Sequence, residues 1–80
     1  MKARVFVTLK RTVLDPQGQT IQQAAGRMGF EGVTEVRQGK VFDLELNGAT
    51  KEQAREQVER LAREVLTNPV IEEFHCELEE

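Results

Sequence analysis

The chain has one histidine and one cysteine, and they are neighbours, His75 and Cys76. A cysteine nucleophile needs a base within hydrogen-bonding reach, whereas successive side chains of a strand point to opposite faces. The segment around them alternates apolar and charged residues, so we expect a strand with the thiol on its core face and the imidazole on its solvent face. A zinc site needs more ligands than this pair supplies. The sequence therefore predicts no catalytic residue and no metal ligand on this chain.

Two further patterns could bind a ligand, and neither has the required context. Gly26, Gly29 and Gly32 are spaced by three, but they lie within and after a predicted helix, whereas a dinucleotide-binding loop joins a strand to a helix. The acidic segment 72–80 has no cation-ligand spacing and is typical of a solvated charge run. We therefore expect no cofactor on this chain.

Length and charge narrow the classes of function. The 80 residues are expected to form a single domain, 1–80. The formal net charge of −3 is opposite to the basic balance that phosphate contacts require, so nucleic acid is not an expected partner. A single cysteine permits no internal disulfide, which favours the cytoplasm. No apolar run approaches the roughly 20 residues of a membrane helix, so no membrane association is expected.

The first half of the chain predicts a strand followed by a helix. Residues 2–11 alternate with the period of a half-buried strand. Asp15 is a favourable N-cap, and Pro16 is a favourable first helical residue because its missing N–H has no partner to lose there. The helix is predicted to run from Pro16 to Met28, with an apolar stripe that starts at Ile21.

The second half predicts a hairpin, a helix and a last strand. Residues 33–47 form the predicted hairpin, with a turn centred on Gly39 in a positive-φ conformation. Thr50 and Gln53 have the spacing of a capping box at the start of the second helix. The last strand is predicted over residues 70–78.

The resulting order, βαββαβ, is that of an α+β ferredoxin-like two-layer sandwich, in which both helices cover one face of a four-stranded antiparallel sheet. We place Phe6, Val41 and Ile71 on the open face and predict that they form a self-association surface, because apolar side chains there are better buried against another chain. The fold itself implies no activity. A binding or assembly module and a small-ligand-binding regulatory domain both remain open at this point.

Three segments carry a resemblance to a known family. They read VLDPQG at residues 13–18, VRQGK at residues 36–40 and LTNPVIE at residues 66–72. In that order and spacing they closely resemble the PurS family, the small subunits of bacterial and archaeal phosphoribosylformylglycinamidine (FGAM) synthase. Thr67 is a departure, since the family usually has alanine at this position. The resemblance extends over the whole chain.

The resemblance implies a non-catalytic role in the enzyme that makes FGAM from formylglycinamide ribonucleotide (FGAR), glutamine, ATP and water, with glutamate, ADP and phosphate as the other products, in de novo purine synthesis. It implies two partners. The glutaminase subunit PurQ releases ammonia, and the large synthetase subunit PurL binds ATP and Mg²⁺. The small subunit is expected to bridge them, to assist ammonia transfer, and to form a homodimer, or a dimer of dimers when isolated.

The three family segments are also the predicted partner contacts. Arg37 and Lys40 are expected to make charged contacts at the predicted hairpin tip. Each candidate also has a local explanation as a cap or turn residue, so both interpretations stay open. The full set of candidates is Asp15, Pro16, Gln17, Gly18, Arg37, Gly39, Lys40, Asn68 and Pro69.

Overall fold

The structure, a computed structural model, describes residues 1–48 and 50–79. Two predicted caps are confirmed. Asp15 accepts a hydrogen bond at the start of the first helix, and Thr50 forms its capping box with Gln53 at the start of the second. Within the described part, no helix has the length and apolarity to cross a membrane. The elements are β1 (Lys2–Leu9), α1 (Pro16–Arg27), β2 (Gly39–Glu45), α2 (Lys51–Leu61), a π-helical turn (Ala62–Leu66) and β3 (Glu72–Glu79).

β1 is the central strand of an antiparallel three-stranded sheet with the order β2-β1-β3. Val5 lies opposite Phe42 of β2 and Cys76 of β3. This is the strand order of a ferredoxin-like sheet that lacks one edge strand. The predicted α+β ferredoxin-like class is therefore confirmed, with three strands in the described sheet instead of four.

The predicted hairpin is wrong in its first arm and in its turn. Residues 33–38 form no strand, and Gly39 pairs with Thr8 as the first residue of β2. Among the described residues only Gly29 and Gly48 have positive φ. Gly39 is needed for a different reason, since a Cβ there would lie 2.7 Å from the carbonyl oxygen of Val7. The close approach of two strands, and not a turn, requires this glycine.

The last strand also begins later than predicted. β3 starts at Glu72, and Ile71 belongs to the turn before it. The backbone N–H of Ile71 donates to the carbonyl of Asn68 at 3.1 Å, while its own carbonyl accepts from Lys10 at 2.8 Å. The turn at Asn68 therefore takes up the N–H of Ile71, whereas its carbonyl already bonds to the residue that follows β1.

The hydrophobic core lies between β1 and α2. Its buried apolar residues are Ala3, Val5 and Val7 of β1, with Ala54 and Val58 of α2 and Ala62 of the π-helical turn. The inward-facing side chains of β2 and β3 are only partly buried against this cluster. We call the sheet, α2 and the π-helical turn the body.

Residues 10–38 leave the sheet at the end of β1 and return to it at the start of β2. We call this segment, which contains α1, the arm. The radius of gyration is 16.1 Å and the principal extents are 50 × 26 × 13 Å, whereas a compact domain of this length has a radius of about 12 Å. Within the arm only Asp15 and Gly18 are buried. The chain is therefore elongated, and the arm contributes little to the core.

Candidate subunit interface at one end of the sheet

The three family segments, far apart in sequence, meet at one end of the sheet. β1 ends there, and β2 and β3 both begin there, with Thr8 opposite Gly39 and Leu9 opposite Glu72. The arm also starts and finishes at this end. The topology therefore brings residues 13–18, 36–40 and 66–72 together.

Asp15 joins the two halves of the arm. Its carboxylate accepts from the backbone N–H of Gly18 at 2.9 Å, as the N-cap of α1, and from the backbone N–H of Gln38 at 2.7 Å. These two hydrogen bonds, together with the charge of Arg37, hold the pKa of Asp15 below its ordinary value. With both oxygens occupied and the side chain buried, the carboxylate is a structural tie between α1 and the start of β2.

Gly18 allows the two sides of the arm to touch. A Cβ at this position would overlap the carbonyl oxygen of Val36 and would lie 3.0 Å from a carboxylate oxygen of Asp15. Only a residue without a side chain fits between the first turn of α1 and the returning segment. The sequence pointed to Gly18 through its family segment, but not to this contact with Val36.

Arg37 closes the base of the arm. Its Nη2 donates to the carbonyl oxygens of Lys10 at 3.0 Å and Val13 at 2.9 Å. Arg11 pairs with Glu35 at 2.9 Å, a second contact between the two ends of the arm. Arg37 thus uses part of its guanidinium inside the chain while the residue as a whole stays exposed.

A second polar cluster lies at the start of β3. Glu72 accepts from the backbone N–H of Asn68 at 2.7 Å and lies 3.5 Å from the ammonium of Lys40. The side chain of Asn68 in turn accepts from the N–H of Val70 at 3.1 Å. The sequence pattern predicts Glu72 as part of a solvated acidic run, and this is wrong, because its side chain is only 14% exposed.

The candidate contact residues divide into two groups. Asp15 and Gly18 are buried, so they can affect a partner only through the backbone that they hold in place. The others are exposed at the same end of the sheet: Pro16, Gln17, Arg37, Gly39, Lys40, Asn68 and Pro69.

The face of the sheet that no helix covers carries a row of three neighbouring side chains, Val41, Phe6 and His75, which we call the aromatic row. Phe6 lies opposite Val41 on one side and His75 on the other, and the rings of Phe6 and His75 are stacked with centroids 6.1 Å apart. Val41 is 55% exposed. Ile71, the third residue predicted for this surface, lies in the turn just before β3, where its carbonyl accepts from Lys10. Phe6 and Val41 are thus neighbours in the sheet, with His75 beside Phe6. The self-association of Phe6, Val41 and Ile71 stays a prediction.

Charged rows follow on the same face. Each row places a cation of β1 between two carboxylates, one from β2 and one from β3. The ion pair from Arg4 Nε to Asp43 Oδ1 is 2.8 Å long. The two rows are Asp43–Arg4–Glu77 and Glu45–Lys2–Glu79.

Cys76 lies on the other face of β3 from His75, as predicted. It packs against the core cluster, and burial, with a smaller contribution from the charge of Glu59, raises the pKa of its thiol. A thiol that stays protonated is a poor nucleophile, so the geometry fits a small core residue. In the described part of the chain, no group of three His, Cys, Asp or Glu side chains could hold a metal ion.

Comparison with known sequences identifies the family. The sequence model of the family described as PurS, phosphoribosylformylglycinamidine (FGAM) synthase, matches residues 2–80. The FGAM synthase subunit PurS of Methanocaldococcus jannaschii is 40% identical over 78 residues, which are 98% of this chain and 94% of that protein.

Solved structures agree with the sequence comparison. The crystal structure of Methanocaldococcus jannaschii PurS, one of the subunits of formylglycinamide ribonucleotide amidotransferase in the purine biosynthetic pathway, superposes with a TM-score of 0.89 at 38% identity, covering 99% of this chain and 95% of that one. A chain in the structure of PurLQS from Thermotoga maritima superposes with a TM-score of 0.87 at 34% identity, covering 95% and 93%. The chain belongs to the PurS family of FGAM synthase subunits.

Proposed function

We propose that this chain is the non-catalytic small subunit of an FGAM synthase, in which it bridges a PurQ glutaminase subunit and a PurL synthetase subunit. The complex converts FGAR, glutamine, ATP and water into FGAM, glutamate, ADP and phosphate. In this assignment PurL binds ATP and Mg²⁺, and PurQ supplies the ammonia. The observation that carries the proposal is the match, over 95% of this chain, to a chain of the Thermotoga maritima PurLQS complex.

The chemistry of the side chains is consistent with a role without catalysis. Asp15 accepts two backbone N–H groups, and Cys76 has a raised pKa. The Asp15 carboxylate is buried and holds two backbone segments together, and a thiol that stays protonated is a poor nucleophile, so both groups fit structural roles better than catalytic ones. Ammonia passed between two active sites must be kept from bulk water, and a rigid small domain can help to seal two larger subunits together.

The end of the sheet where the arm begins is the surface we propose for contact with the partner subunits. It gathers all three family segments, and most of the candidate residues there are exposed. Lys40, Asn68 and Pro69 present a charge, an amide and a rigid turn beside one another. Charged and polar groups across an interface fix the register of the two partners.

The subunit role is tested by reconstitution with PurL and PurQ from the same organism. We expect glutamine-dependent FGAM formation only when this chain is added, while the reaction driven by ammonium chloride needs PurL alone. Full glutamine-dependent activity without this chain would contradict the subunit role. Loss of the ammonia-driven reaction in its absence would contradict a purely bridging role, because the synthetase site itself would then depend on this chain.

The contact surface has its own test. Lys40→Glu reverses a charge at the proposed surface, and Lys51→Glu makes the same change at the start of α2, outside it. We expect Lys40→Glu to weaken co-elution with the partner subunits on gel filtration and Lys51→Glu to leave it unchanged. Equal co-elution of both variants with the wild-type chain would reject this location.

We also propose that the open sheet face pairs with the same face of a second copy. If the second copy is displaced by one strand, the cations of β1 lie opposite the carboxylates of β3, and Phe6 lies over the aromatic row of the other sheet. Phe6→Asp should then lower the molar mass of the isolated chain in light scattering. An unaltered mass would show that this face does not self-associate.

A further inference from the structure

The two ends of the arm form a positively charged surface. We define the arm base as residues 10–14, which leave β1, and residues 35–37, which lead back to β2. It holds three cations and one carboxylate: Lys10, Arg11, Arg37 and Glu35. The formal net charge of the whole chain is −3. The arm base is therefore a basic area on a chain that is acidic as a whole.

The carboxylates near this surface are already engaged. Glu35 pairs with Arg11 at 2.9 Å. Asp15 lies close enough for the charge of Arg37 to help lower its pKa, but it is buried, and its two oxygens accept from backbone N–H groups. Over residues 1–48 and 50–79, neither Lys10 nor Arg37 forms an ion pair. Two cations of the arm base are therefore left for a charge from outside.

The guanidinium of Arg37 is held in place by the chain itself. Its Nη2 donates to the carbonyl oxygens of Lys10 and Val13, whereas within the described residues Nε and Nη1 donate to no acceptor. Hydrogen bonds from a guanidinium to a carboxylate are charge-assisted and strong. A side chain that is already ordered loses little further freedom when it binds a ligand. Arg37 is therefore a pre-organised donor for a carboxylate.

Exposed apolar side chains flank the same cations. Leu14 is 64% exposed and Val70 is 77% exposed. The N–H of Val13 donates to the carbonyl of Lys10 at 2.9 Å, and the N–H of Lys10 donates to the carbonyl of Ile71 at 2.8 Å. Leu14 and Val70 each adjoin one of these bonded residues in the chain, so they lie on either side of Lys10. Apolar area with polar groups at its margin is the ordinary composition of a protein interface.

We propose that the arm base binds an acidic segment of a partner subunit, whose carboxylates meet Lys10 and Arg37 and whose apolar side chains cover Leu14 and Val70. The unpaired cations require a partner of negative charge. A small free anion such as phosphate would satisfy the cations but would leave Leu14 and Val70 in water. A protein segment satisfies both requirements.

This contact rests on the proposed subunit role and specifies the chemistry of the surface that the partner presents. It also extends the contact surface beyond the predicted residues. Lys10, Leu14 and Val70 are not among them, because their importance depends on the turn after β1 and the turn before β3 lying side by side.

A charge reversal at Lys10 tests the electrostatic part of the contact. Lys10→Glu and Lys51→Glu change the net charge equally, the first at the arm base and the second at the start of α2. Biolayer interferometry measures the association rate constant of each variant with PurL, with PurQ and with both together. In the mixtures that contain the acidic segment, we expect Lys10→Glu to lower this constant about threefold or more at about 0.05 M NaCl. The difference should vanish at about 1 M NaCl, where charges are screened within about 3 Å. Lys51→Glu should match the wild-type chain throughout.

A second pair of variants tests the apolar part. Leu14→Ser and Val65→Ser shorten side chains that are 64% and 69% exposed, and only Leu14 lies at the arm base. We expect Leu14→Ser to raise the dissociation constant about fivefold or more, at low and high salt alike, and Val65→Ser to leave it unchanged. All four variants should keep the wild-type circular dichroism, since none of the four side chains belongs to the buried core.

The outcomes separate this contact from the subunit role. If the wild-type chain binds and Lys10→Glu associates as fast as Lys51→Glu in all three mixtures, the contact is overturned and the subunit role stands. A defect of Lys10→Glu that persists at 1 M NaCl would also overturn it, because the effect would then not be one of charge. A wild-type chain that binds in none of the mixtures would overturn the contact and the subunit role together.

Discussion

The arm and the body are stabilised by different forces. In the body the fully buried side chains are all apolar, and the largest are Val5, Val7 and Val58. In the arm the buried residues are Asp15 and Gly18, a carboxylate and a residue without a side chain. The body is therefore held by hydrophobic burial, which has no preferred direction. The arm is held by hydrogen bonds and close backbone contact, which fix orientation.

This difference indicates a division of roles. A core of a few valines and alanines makes the body stable enough to serve as a platform. The directed bonds at the arm base contribute less stability, since a hydrogen bond within a protein largely replaces one to water. They set the position of α1 and of the sheet end, and we propose that the sheet end meets other chains. Changes in the body should therefore affect folding first, and changes in the arm should affect assembly first.

The largest effect on folding is expected in the body. Val58→Ala removes two methyl groups from a fully buried site and should lower the free energy of unfolding by about 2–3 kcal/mol. Val65→Ala, at a 69% exposed position just after α2, should change it by less than about 0.5 kcal/mol. Urea unfolding at one fixed protein concentration measures both. Similar losses of stability in the two variants would mean that Val58 does not lie in the hydrophobic core.

Alanine substitutions at two glycines of α1 should change the stability of the chain in opposite directions. Gly18→Ala forces the backbone of the returning segment at Val36 away from the first turn of α1 and should cost about 1–3 kcal/mol of stability. Gly26→Ala meets no atom within 4 Å and should stabilise the helix by about 0.5–1 kcal/mol. Thermal unfolding followed by circular dichroism distinguishes them. A stabilising Gly18→Ala would show that the two sides of the arm are not in contact.

The cap of α2 should matter for stability alone. Thr50→Ala removes the hydrogen bond to Gln53 and should lower the free energy of unfolding by about 1 kcal/mol. Because this cap lies in the body, co-elution with the partner subunits should be unchanged at temperatures well below the unfolding midpoint. Weakened co-elution of the folded variant would place the start of α2 in the partner contact.

The smallest change in stability is expected for Asp15, the N-cap of α1, and it should appear as a pH dependence of the free energy of unfolding. The pKa of Asp15 is lowered in the folded chain by the N–H groups of Gln38 and Gly18. As the pH falls, the Asp15 carboxylate is therefore protonated in the unfolded chain before it is protonated in the folded chain. The stability that its charge contributes is complete above about pH 5 and is lost as the pH falls through the pKa of the folded chain.

Asp15→Asn keeps a capping oxygen but does not ionise, so its stability should fall less steeply than that of the wild-type chain in this acid range. The measurement is the urea midpoint of each chain as a function of pH. Parallel pH profiles would show that the Asp15 carboxylate does not contribute through its charge.

Local signals in the sequence predicted the helices well. Asp15 with Pro16, and Thr50 with Gln53, mark both helix starts because capping depends on residues within one turn. The alternation of β1 and β3 also placed His75 and Cys76 on opposite faces. These features depend on neighbours along the chain and need no knowledge of the tertiary structure.

What could not be predicted depends on contacts between distant segments. Gly39 looked like a turn residue because glycine allows positive φ, but it is required by the approach of Val7 across the sheet. Glu72 looked like part of a charged tail, yet the turn at Asn68 and the ammonium of Lys40 surround it. The exposure of the α1 stripe was also unforeseen, since its spacing alone does not say which chain covers it.

Hydrogen exchange of the isolated chain tests the contrast between arm and body most directly. The amides of β1 should exchange only through global unfolding, because β1 carries the buried core, whereas those of α1 should exchange through local opening at a much lower free energy. Protection of α1 equal to that of β1 would contradict the account.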